Sequence, residues 1–296
     1  MGWVECIGEA VGYIEDHITD ELTVEKIAKQ VLVSPFYFQK GFSMLCGFTV
    51  GEYIRERRLT LAGSELVSTD EKVIDIALKY GYDSPDSFTK AFTRFHGVTP
   101  TVVRKDGAMI KSFAPLKIKF TLEGGYVMDY KIVEKDSFTV LGASRTFTYD
   151  SAKAEIPEFW SELHQPGKKK IVCGMYGICI DEKMESGQDD NMGADKFEYL
   201  IADNYNPAAE IPEGLVTRII PAHTWAVFPC RGSMPQSLQD TNKAIYSEWL
   251  PNCKDFEIAA GYNIEMYHDP CRYPKGTQDE NYYSEIWIPV TRKDRK

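Results

Sequence analysis

The hydrophobic and polar pattern of the first hundred residues repeats after 49 or 50 positions. The run 34–42, S-P-F-Y-F-Q-K-G-F, returns as 84–92, S-P-D-S-F-T-K-A-F, and the pair Ile-Ala at 27–28 returns at 76–77. In both copies the apolar residues are three or four positions apart, which is the period of a helix with one buried face. The pattern therefore predicts two copies of one helical unit.

Each copy is predicted to hold two short helices joined by a tight turn. In the first copy Thr23 and Ser34 are typical N-caps, Pro35 suits the first turn of a helix, and Gly47 is a typical helix end. The second copy has the equivalent residues Ser84, Pro85 and Gly97. Two short helices joined in this way form the helix-turn-helix motif, whose second helix enters the major groove of DNA.

One longer helix is predicted between the copies, over residues 49–68. Leu59, Ala62 and Leu66 give it an apolar stripe, and about 20 residues make a helix about 30 Å long. Neighbouring major-groove segments on one face of DNA lie about 34 Å apart. A spacer of this length can therefore place the two second helices in adjacent groove segments.

The polar positions of the two second helices suit contacts with DNA. Phe38 and Phe42 are four residues apart, as are Phe88 and Phe92, and both pairs are predicted to face the core. Gln can read adenine, Lys can read guanine, and Ser and Thr reach bases or phosphates. The positions predicted to face DNA are Phe36, Gln39, Lys40, Ser43, Asp86, Ser87, Thr89, Lys90 and Thr93. The candidate phosphate contacts are Arg55, Arg57, Arg58, Arg94, Arg104 and Lys105.

Two questions stay open for this half: whether the paired units bind DNA at all, and what role Asp86 has. The paired units could form a helical bundle that only packs together. Asp86 fits DNA binding least: its carboxylate either favours the N-terminus of its helix or accepts a hydrogen bond from cytosine.

The second half of the chain carries a weaker repeat with the pattern of strands. Residues 131–140 match residues 218–227, displaced by 87, and each stretch reads as two strands around a turn. A helix-like segment and two further strands follow in each copy, over 155–163, 176–180 and 197–201 and over 241–250, 262–266 and 284–288. The order β-β-α-β-β, found twice, predicts an α+β domain with pseudo-twofold symmetry.

A ligand-binding cleft is expected between these two copies, because ligands commonly bind where packed units meet. Alternation along the last strand puts Glu285 and Trp287 on one face, and Glu198 is the carboxylate related by symmetry. A carboxylate beside aromatic rings suits an aromatic or cationic guest. The alternative is that Glu285 lies on the outer face of an edge strand. The predicted ligand-binding residues are Glu285, Trp287, Glu198, Tyr176, Tyr262 and Trp160.

Composition and charge indicate a globular protein whose two halves differ. Of the 296 residues, 43% are hydrophobic and 26% are charged, which suits about two domains with sizeable cores. The net charge is −10, but residues 1–120 carry 15 basic and 16 acidic residues, whereas residues 121–296 carry 19 and 28. The acidic balance of the whole chain therefore does not argue against DNA binding by the first half.

Several classes of site are not expected. The seven cysteines are scattered without C-x-x-C spacing, which favours reduced thiols of a cytoplasmic protein over disulfides or a zinc site. No apolar run is long enough for a membrane span, and the first residues lack the features of a signal peptide. Walker A, G-x-S-x-G and H-E-x-x-H motifs are absent. We therefore expect no cofactor, no metal, no membrane partner and no enzyme activity.

Residues 22–104 resemble the tandem helix-turn-helix domain of the AraC/XylS family of transcription regulators. The resemblance rests on the 27–28 pair, the 34–42 run and the stretch 77–100, which begins A-L-K-Y-G-Y-D-S-P. Residues 126–291 resemble the GyrI-like effector-binding domain of Rob-type members, with the best local match in E-I-W-I-P from Glu285 onward. The resemblance implies recognition-helix roles for Phe36, Gln39, Lys40, Ser87, Thr89 and Lys90, and contact of Glu285 with cationic lipophilic ligands.

The sequence thus predicts a multidomain regulator. It has an all-α tandem helix-turn-helix domain over 1–107, a linker over 108–125 and an α+β, pseudo-twofold GyrI-like domain over 126–296. We predict binding of double-stranded promoter DNA, sensing of a small aromatic or cationic lipophilic effector, and a ligand-dependent change in promoter affinity or in contact with RNA polymerase. Two other functions stay open for the second domain: small-molecule hydrolysis, with Glu285 or Glu198 as a base, and sequestration of drugs.

Overall fold

The first half of the chain is helical, as predicted. The computed structural model of the protein describes residues 3–106, 108–117, 128–164, 172–181 and 196–293, which form one unit up to residue 117 and another from residue 128. The helices of the first unit are α1 (Trp3–Asp16), α2 (Val24–Gln30), α3 (Pro35–Cys46), α4 (Val50–Ser68), α5 (Val73–Lys79), α6 (Pro85–His96) and α7 (Pro100–Asp106). Every described secondary-structure element of this unit is a helix.

The two predicted helix-turn-helix copies are α2–α3 and α5–α6. The hydroxyls of Ser34 and Ser84 accept hydrogen bonds from the backbone N–H three residues later, at 3.3 and 3.2 Å. Gly47 and Gly97 end α3 and α6 with φ of 81° and 84°, the left-handed conformation that favours glycine. The predicted ends of both second helices are therefore confirmed.

Helix α4 is the predicted spacer. It has 19 residues, which corresponds to about 28 Å. Leu59, Ala62 and Leu66 are buried in one cluster with Phe88 and Phe92 of α6, so the predicted stripe does face the core. No described helix, α4 included, combines the length and the apolar character needed to cross a bilayer.

Residues 108–117, predicted as part of the linker, lie against the helical unit. The ring of Phe113 packs against the ring of Phe48, with centroids 5.6 Å apart. The backbone N–H of Phe113 donates to Thr60 Oγ1 at 2.9 Å. This stretch therefore belongs structurally to the helices, while 118–125, the rest of the predicted linker, lie outside the described residues.

The described strands of the second unit form one antiparallel sheet of nine strands. In chain order they are β1 (Lys131–Lys135), β2 (Phe138–Thr148), β3 (Tyr176–Ile180), β4 (Lys196–Asn204), β5 (Val216–Ile220), β6 (His223–Arg231), β7 (Phe256–Ile258), β8 (Tyr262–Tyr267) and β9 (Tyr283–Arg292). Helix α8 (Tyr149–Leu163) follows β2, and α9 (Gln236–Ala244) follows β6 and continues into a π-helical turn, Ile245–Trp249. The predicted order of elements is confirmed, with β7 as an addition and with both helices beginning earlier than predicted.

The first strands of the two repeats are exchanged. The sheet order is β1-β6-β9-β8-β3-β4-β2-β5, and β7 also pairs with β9. Strand β1 therefore pairs with β6 of the second repeat, and β5 pairs with β2 of the first. The sequence prediction identified the strands β1–β2 and β5–β6, but the members of each pair do not bond to each other. An alternating pattern defines which face of a strand is buried and does not define its partner.

The two faces of the sheet carry different side chains. On one face Tyr176 of β3, Ile264 of β8 and Trp225 of β6 belong to a single buried apolar cluster. Helix α8 packs on the other face, where the ring of Phe159 lies 5.9 Å from the ring of Phe147. We refer to the first of these as the cleft face.

Candidate functional site

Helix α6 presents a polar surface away from the core. Phe88 and Phe92 are fully buried, whereas Asp86, Ser87, Lys90 and Arg94 are exposed and Thr89 is half-exposed. The exposed side chains include two cations and a hydroxyl, which are groups that contact bases and phosphates. These four positions and Thr89 are therefore accessible, whereas the hydroxyl of Thr93, which was also predicted to face DNA, is buried.

Helix α3 differs from α6, and the prediction that Phe36 and Gln39 face solvent is wrong. Phe36 is 1% exposed and Gln39 is 5% exposed. Phe36 and Phe38 are two residues apart and so point to opposite sides of the helix, yet both are buried. The prediction assumed that α3 has one buried face, whereas side chains on two opposite faces of this helix are buried. Lys40 and Ser43 stay half-exposed, and the ammonium of Lys40 lies 6.0 Å from the centroid of the Phe36 ring.

Arg57, predicted to contact phosphate, is instead a buried partner of Glu15 on α1. Its Nε and Nη2 donate to the two carboxylate oxygens of Glu15, each at 2.8 Å, and Tyr53 Oη donates to the same carboxylate at 2.7 Å. Burial raises the pKa of the Glu15 carboxyl, but the hydrogen bonds from Arg57 and Tyr53 lower it more, so the pKa lies below its ordinary value. Arg57 therefore joins α4 to α1 and is not available to DNA.

Arg58 also has its hydrogen bonds inside the protein, which corrects its assignment as a phosphate contact. Its Nε donates to the carbonyl of Ile18 at 2.8 Å and its Nη2 donates to the carbonyl of Asp20 at 2.6 Å. Burial lowers the pKa of its guanidinium. Both carbonyls belong to the segment between α1 and α2, so Arg58 joins α4 to this segment. Arg55 is exposed, as is Lys105, and Arg104 is half-exposed.

Glu285 is a buried carboxylate on the cleft face. Its Oε1 accepts hydrogen bonds from Tyr283 Oη at 2.7 Å and from Lys131 Nζ at 3.2 Å, and its Oε2 accepts from Trp287 Nε1 at 2.7 Å. Burial raises the pKa of Glu285, but these three hydrogen bonds lower it more, and the pKa lies below its ordinary value. The residue is 6% exposed, so the alternative that it lies exposed on an edge strand is wrong.

A cavity of about 260 Å³ opens beside this carboxylate. The ring of Trp287 lies 6.1 Å from the ring of Trp225 and 6.2 Å from the ring of Tyr176. Tyr262 belongs to the same buried cluster. The residues that line the cavity are Lys131, Val133, Glu134, Lys135, Trp225, Val227, Glu285 and Trp287. The arrangement offers flat aromatic surfaces next to an ionised carboxylate.

Glu198 lies on the cleft face but not beside Glu285. Two strands, β3 and β8, separate their strands in the sheet, so the backbones of these two strands lie about 14 Å apart at the usual strand spacing. The carboxylate of Glu198 accepts hydrogen bonds from Arg218 Nη2 at 2.7 Å and Nε at 3.2 Å, and from the hydroxyl of Ser144. Glu198, the carboxylate predicted to be related to Glu285 by symmetry, is therefore paired with the cation of Arg218.

Trp160 is on the opposite face of the sheet, which corrects its assignment to the ligand site. Its Nε1 donates to Tyr199 Oη at 3.0 Å, and its ring contacts the ring of Tyr267 at 5.3 Å. Tyr199 alternates with Leu200, a member of the cleft-face cluster, and so points to the other side. The weak sequence repeat showed that Trp160 is helical, but it did not show which face α8 covers.

Sequence reasoning missed the two lysines of β1 that reach this site. Lys131 bonds to Glu285, and Lys135 Nζ lies 4.8 Å from the centroid of Phe138 and 5.0 Å from that of Trp287. The alternation K-x-V-x-K from Lys131 to Lys135 was the available signal. The sequence alone could not connect this pattern to the site, because the connection depends on the strand exchange. The exchange pairs β1 with β6, so that only β6 lies between β1 and β9.

Comparisons with known proteins agree with both halves of this description. Residues 27–106 match the family described as a helix-turn-helix domain, and residues 131–290 match Cass2, described as an integron-associated effector binding protein. The HTH-type transcriptional activator AarP of Providencia stuartii is 40% identical over 98 residues, which are 33% of this chain and 73% of AarP. The regulatory protein SoxS of Escherichia coli is 36% identical over 104 residues, which are 35% of this chain and 97% of SoxS.

One relative aligns along the whole length. The transcriptional regulator Rob of Salmonella typhimurium is 23% identical over 304 aligned positions, which cover 99% of this chain and 100% of Rob. The two matched families follow each other in the order that the two structural units have. The chain belongs to the AraC-type helix-turn-helix transcription regulators and carries a C-terminal effector-binding domain of the Cass2 and GyrI-like type.

Proposed function

We propose that this DNA-binding regulator reads its promoter through the exposed face of α6. Four of the predicted contact residues on this helix, Asp86, Ser87, Lys90 and Arg94, are exposed. Lys is suited to guanine and Ser to bases or phosphates. Thr89 on α6, Lys40 and Ser43 on α3 and Arg55 on α4 extend the proposed surface. Phe36 and Gln39 are buried and are therefore not part of the proposed surface.

Replacing Lys90 by alanine is expected to weaken DNA binding and to relax base preference at one position. Loss of a direct base contact costs about 1–3 kcal/mol. The measurement is fluorescence anisotropy with a duplex that the full chain has selected from a randomised pool, and with single-base variants of that duplex. Lys72→Ala, an equally exposed lysine at the start of α5, is the control. Equal affinities of Lys90→Ala and Lys72→Ala for every duplex would remove α6 from base reading.

We propose that the second domain senses a small aromatic or cationic lipophilic ligand in the cavity beside Glu285. The observation that carries this proposal is a 6% exposed, ionised carboxylate next to the rings of Trp287, Trp225 and Tyr176. A cation over a desolvated aromatic ring gains about 2 kcal/mol, and more when a carboxylate lies nearby. An ammonium, that of Lys135, already lies over the ring of Trp287.

A role for Glu285 as a catalytic base is less well supported. Its carboxylate accepts three hydrogen bonds and its pKa lies below the ordinary value. A general base works best with a pKa near neutrality, so these contacts suit charge recognition and not proton abstraction. The relatives AarP and Rob are named as a transcriptional activator and a transcriptional regulator, and SoxS is named as a regulatory protein, which also favours sensing.

Replacing Glu285 by glutamine is expected to weaken the binding of tetraphenylphosphonium at least tenfold. This probe is a bulky lipophilic cation, and a tenfold loss corresponds to about 1.4 kcal/mol, which is within what the loss of a charge attraction in a partly desolvated site can supply. Isothermal titration calorimetry on the full chain measures the effect, with the neutral analogue triphenylphosphine oxide as a comparison that should change little. Glu198→Gln is the control variant, because Glu198 is a carboxylate of the same sheet face that does not line this cavity. Equal affinities of the two variants and the unmodified protein for the cation would exclude Glu285 from ligand binding.

We further propose that ligand binding changes promoter affinity or the contact with RNA polymerase. A ligand can shift such an equilibrium only by its difference in affinity for the two states. Glu285→Gln also tests this step, because it should abolish any effect of tetraphenylphosphonium on transcription in vitro from the selected promoter. A ligand effect that persists in the variant would place the sensing site elsewhere.

A further inference from the structure

The two lysines of β1 occupy the places where a cationic ligand would bind. We propose that Lys131 and Lys135 are tethered competitors that set the charge selectivity of the cavity: a ligand cation must displace their ammonium groups. This inference rests on the proposed ligand-sensing function and assigns these two residues a role in it.

Lys131 is the competitor at the carboxylate of Glu285. Its Nζ lies 3.2 Å from Glu285 Oε1, and its side chain is 60% exposed while that of Glu285 is 7% exposed. The ammonium therefore approaches a buried carboxylate from the solvent side. The ammonium is itself mostly exposed, so it can return to water when a ligand cation takes its place beside the carboxylate.

Lys135 is the competitor at the aromatic rings of Phe138 and Trp287. Its Nζ lies 4.8 Å from the centroid of Phe138 and 5.0 Å from the centroid of Trp287, within the range of a cation–π contact with both rings. No ion pair involves Lys135 among the residues that the structure describes. Its charge is thus stabilised by the rings that a ligand cation would use.

The position of β1 explains why both lysines reach the cavity. Lys131, Val133 and Lys135 alternate onto one face of the strand, opposite Val227, Trp225 and His223 of β6. Strand β1 is at the end of the sheet, so its side chains can turn into solvent while its hydrogen bonds to β6 stay in place. Displacement of the lysines therefore requires rotamer changes and no unfolding of the strand.

This arrangement predicts a preference among ligands. A small hydrated cation gains little apolar contact and cannot outcompete two tethered ammonium groups. A bulky lipophilic cation gains both the carboxylate and the aromatic surface, and buries apolar area that a lysine cannot bury. The two lysines thus restrict binding in the cavity to large apolar cations.

The test is the double variant Lys131→Met, Lys135→Met, in which methionine keeps an unbranched apolar side chain without charge. We expect its affinity for tetraphenylphosphonium to rise about tenfold, equivalent to about 1.4 kcal/mol, with a smaller rise for triphenylphosphine oxide, which competes with Lys135 for the rings but not with Lys131 for the carboxylate. The matched control is Lys243→Met, Lys254→Met, which makes the same change in net charge at two exposed positions of this unit. Calorimetry on the full chain, with thermal unfolding by circular dichroism, gives both affinity and folding.

Two results would overturn the inference. One is an unchanged or lower affinity for the cation in the folded double variant, while Glu285→Gln still weakens binding; the proposed function would then stand and the competitor role would fall. The other is binding of an aromatic anion, naphthalene-2-sulfonate, by the unmodified protein and its loss in the double variant. The lysines would then be ligand contacts, with the indole N–H of Trp225, which has no hydrogen-bond partner in the described part of the chain, as a further donor. If Glu285→Gln leaves cation binding unchanged, the proposed function itself fails.

Discussion

Replacing Phe92 by alanine is expected to remove about 4 kcal/mol from the unfolding free energy of the helical unit. Phe92 is fully buried, and its ring lies 5.4 Å from that of Phe88 and 4.1 Å from that of His96. It joins α6 to α4, α5 and α7 through one apolar cluster. Truncation leaves a cavity that the surrounding helices fill only in part. The measurement is urea unfolding of the full chain, followed by circular dichroism at 222 nm.

The same variant should separate DNA binding from the proposed ligand binding. DNA affinity should fall with the folded fraction of the helical unit, while tetraphenylphosphonium binding in the second unit should be retained. Phe95→Ala is the matched control on α6, because Phe95 stays half-exposed and its loss should cost only about 1 kcal/mol. Equal losses for Phe92→Ala and Phe95→Ala would contradict the assigned core.

Replacing Arg57 by methionine is expected to cost about 3 kcal/mol, because it leaves the Glu15 carboxylate without its cation. The side chain of Arg57 is 7% exposed and that of Glu15 is 22% exposed, so water can replace the lost partner only in part. The change also frees the carbonyl of Phe113, which accepts a hydrogen bond from Arg57. Urea unfolding of the helical unit measures this effect as well.

The pH dependence of this pair has a definite sign. The pKa of Glu15 is lower in the folded protein than the ordinary value of 4.5, so the ionised carboxylate stabilises the folded state above that pH. The contribution is lost as the pH falls through the folded pKa. The difference in stability between the unmodified protein and Arg57→Met should therefore narrow below pH 4.5. A difference that stays constant from pH 7 to pH 3 would show that Arg57 acts through packing alone.

Arg55→Met is the control for Arg57→Met. Arg55 is exposed on the same helix, so its replacement should change unfolding by less than about 0.5 kcal/mol. As a proposed phosphate contact, it should instead reduce the slope of log affinity against log salt by about 1. Stability and DNA binding would thus respond to different arginines only two positions apart.

These arginines illustrate what the sequence could and could not predict. The helix ends at Ser34, Gly47, Ser84 and Gly97 follow from local chemistry, because a cap depends on residues within one turn. Arg55, Arg57 and Arg58 share one chemistry, and only contacts with α1 and the chain after it distinguish them. Burial of α3 on two sides is also non-local, and so was not predicted.

The proposed ligand site could be predicted from the sequence in the same partial way. Alternation along β9 correctly put Glu285 and Trp287 on one face, because the period of a strand is a local property. The distance of Glu198 from Glu285 and the presence of Lys131 and Lys135 depend on strand order. Strand order follows from pairings between residues far apart in the sequence, and no motif of the chain encodes them.

The exchange of β1 and β5 between the two repeats has a consequence for how such a domain can be divided. A polypeptide with a single repeat would have a first strand without an internal partner, and would find that partner only in a second copy of itself. The present domain is thus arranged like a strand-swapped homodimer whose subunits are fused through residues 205–215. Cutting this connection should yield halves that recombine into one assembly, because each half completes the sheet of the other.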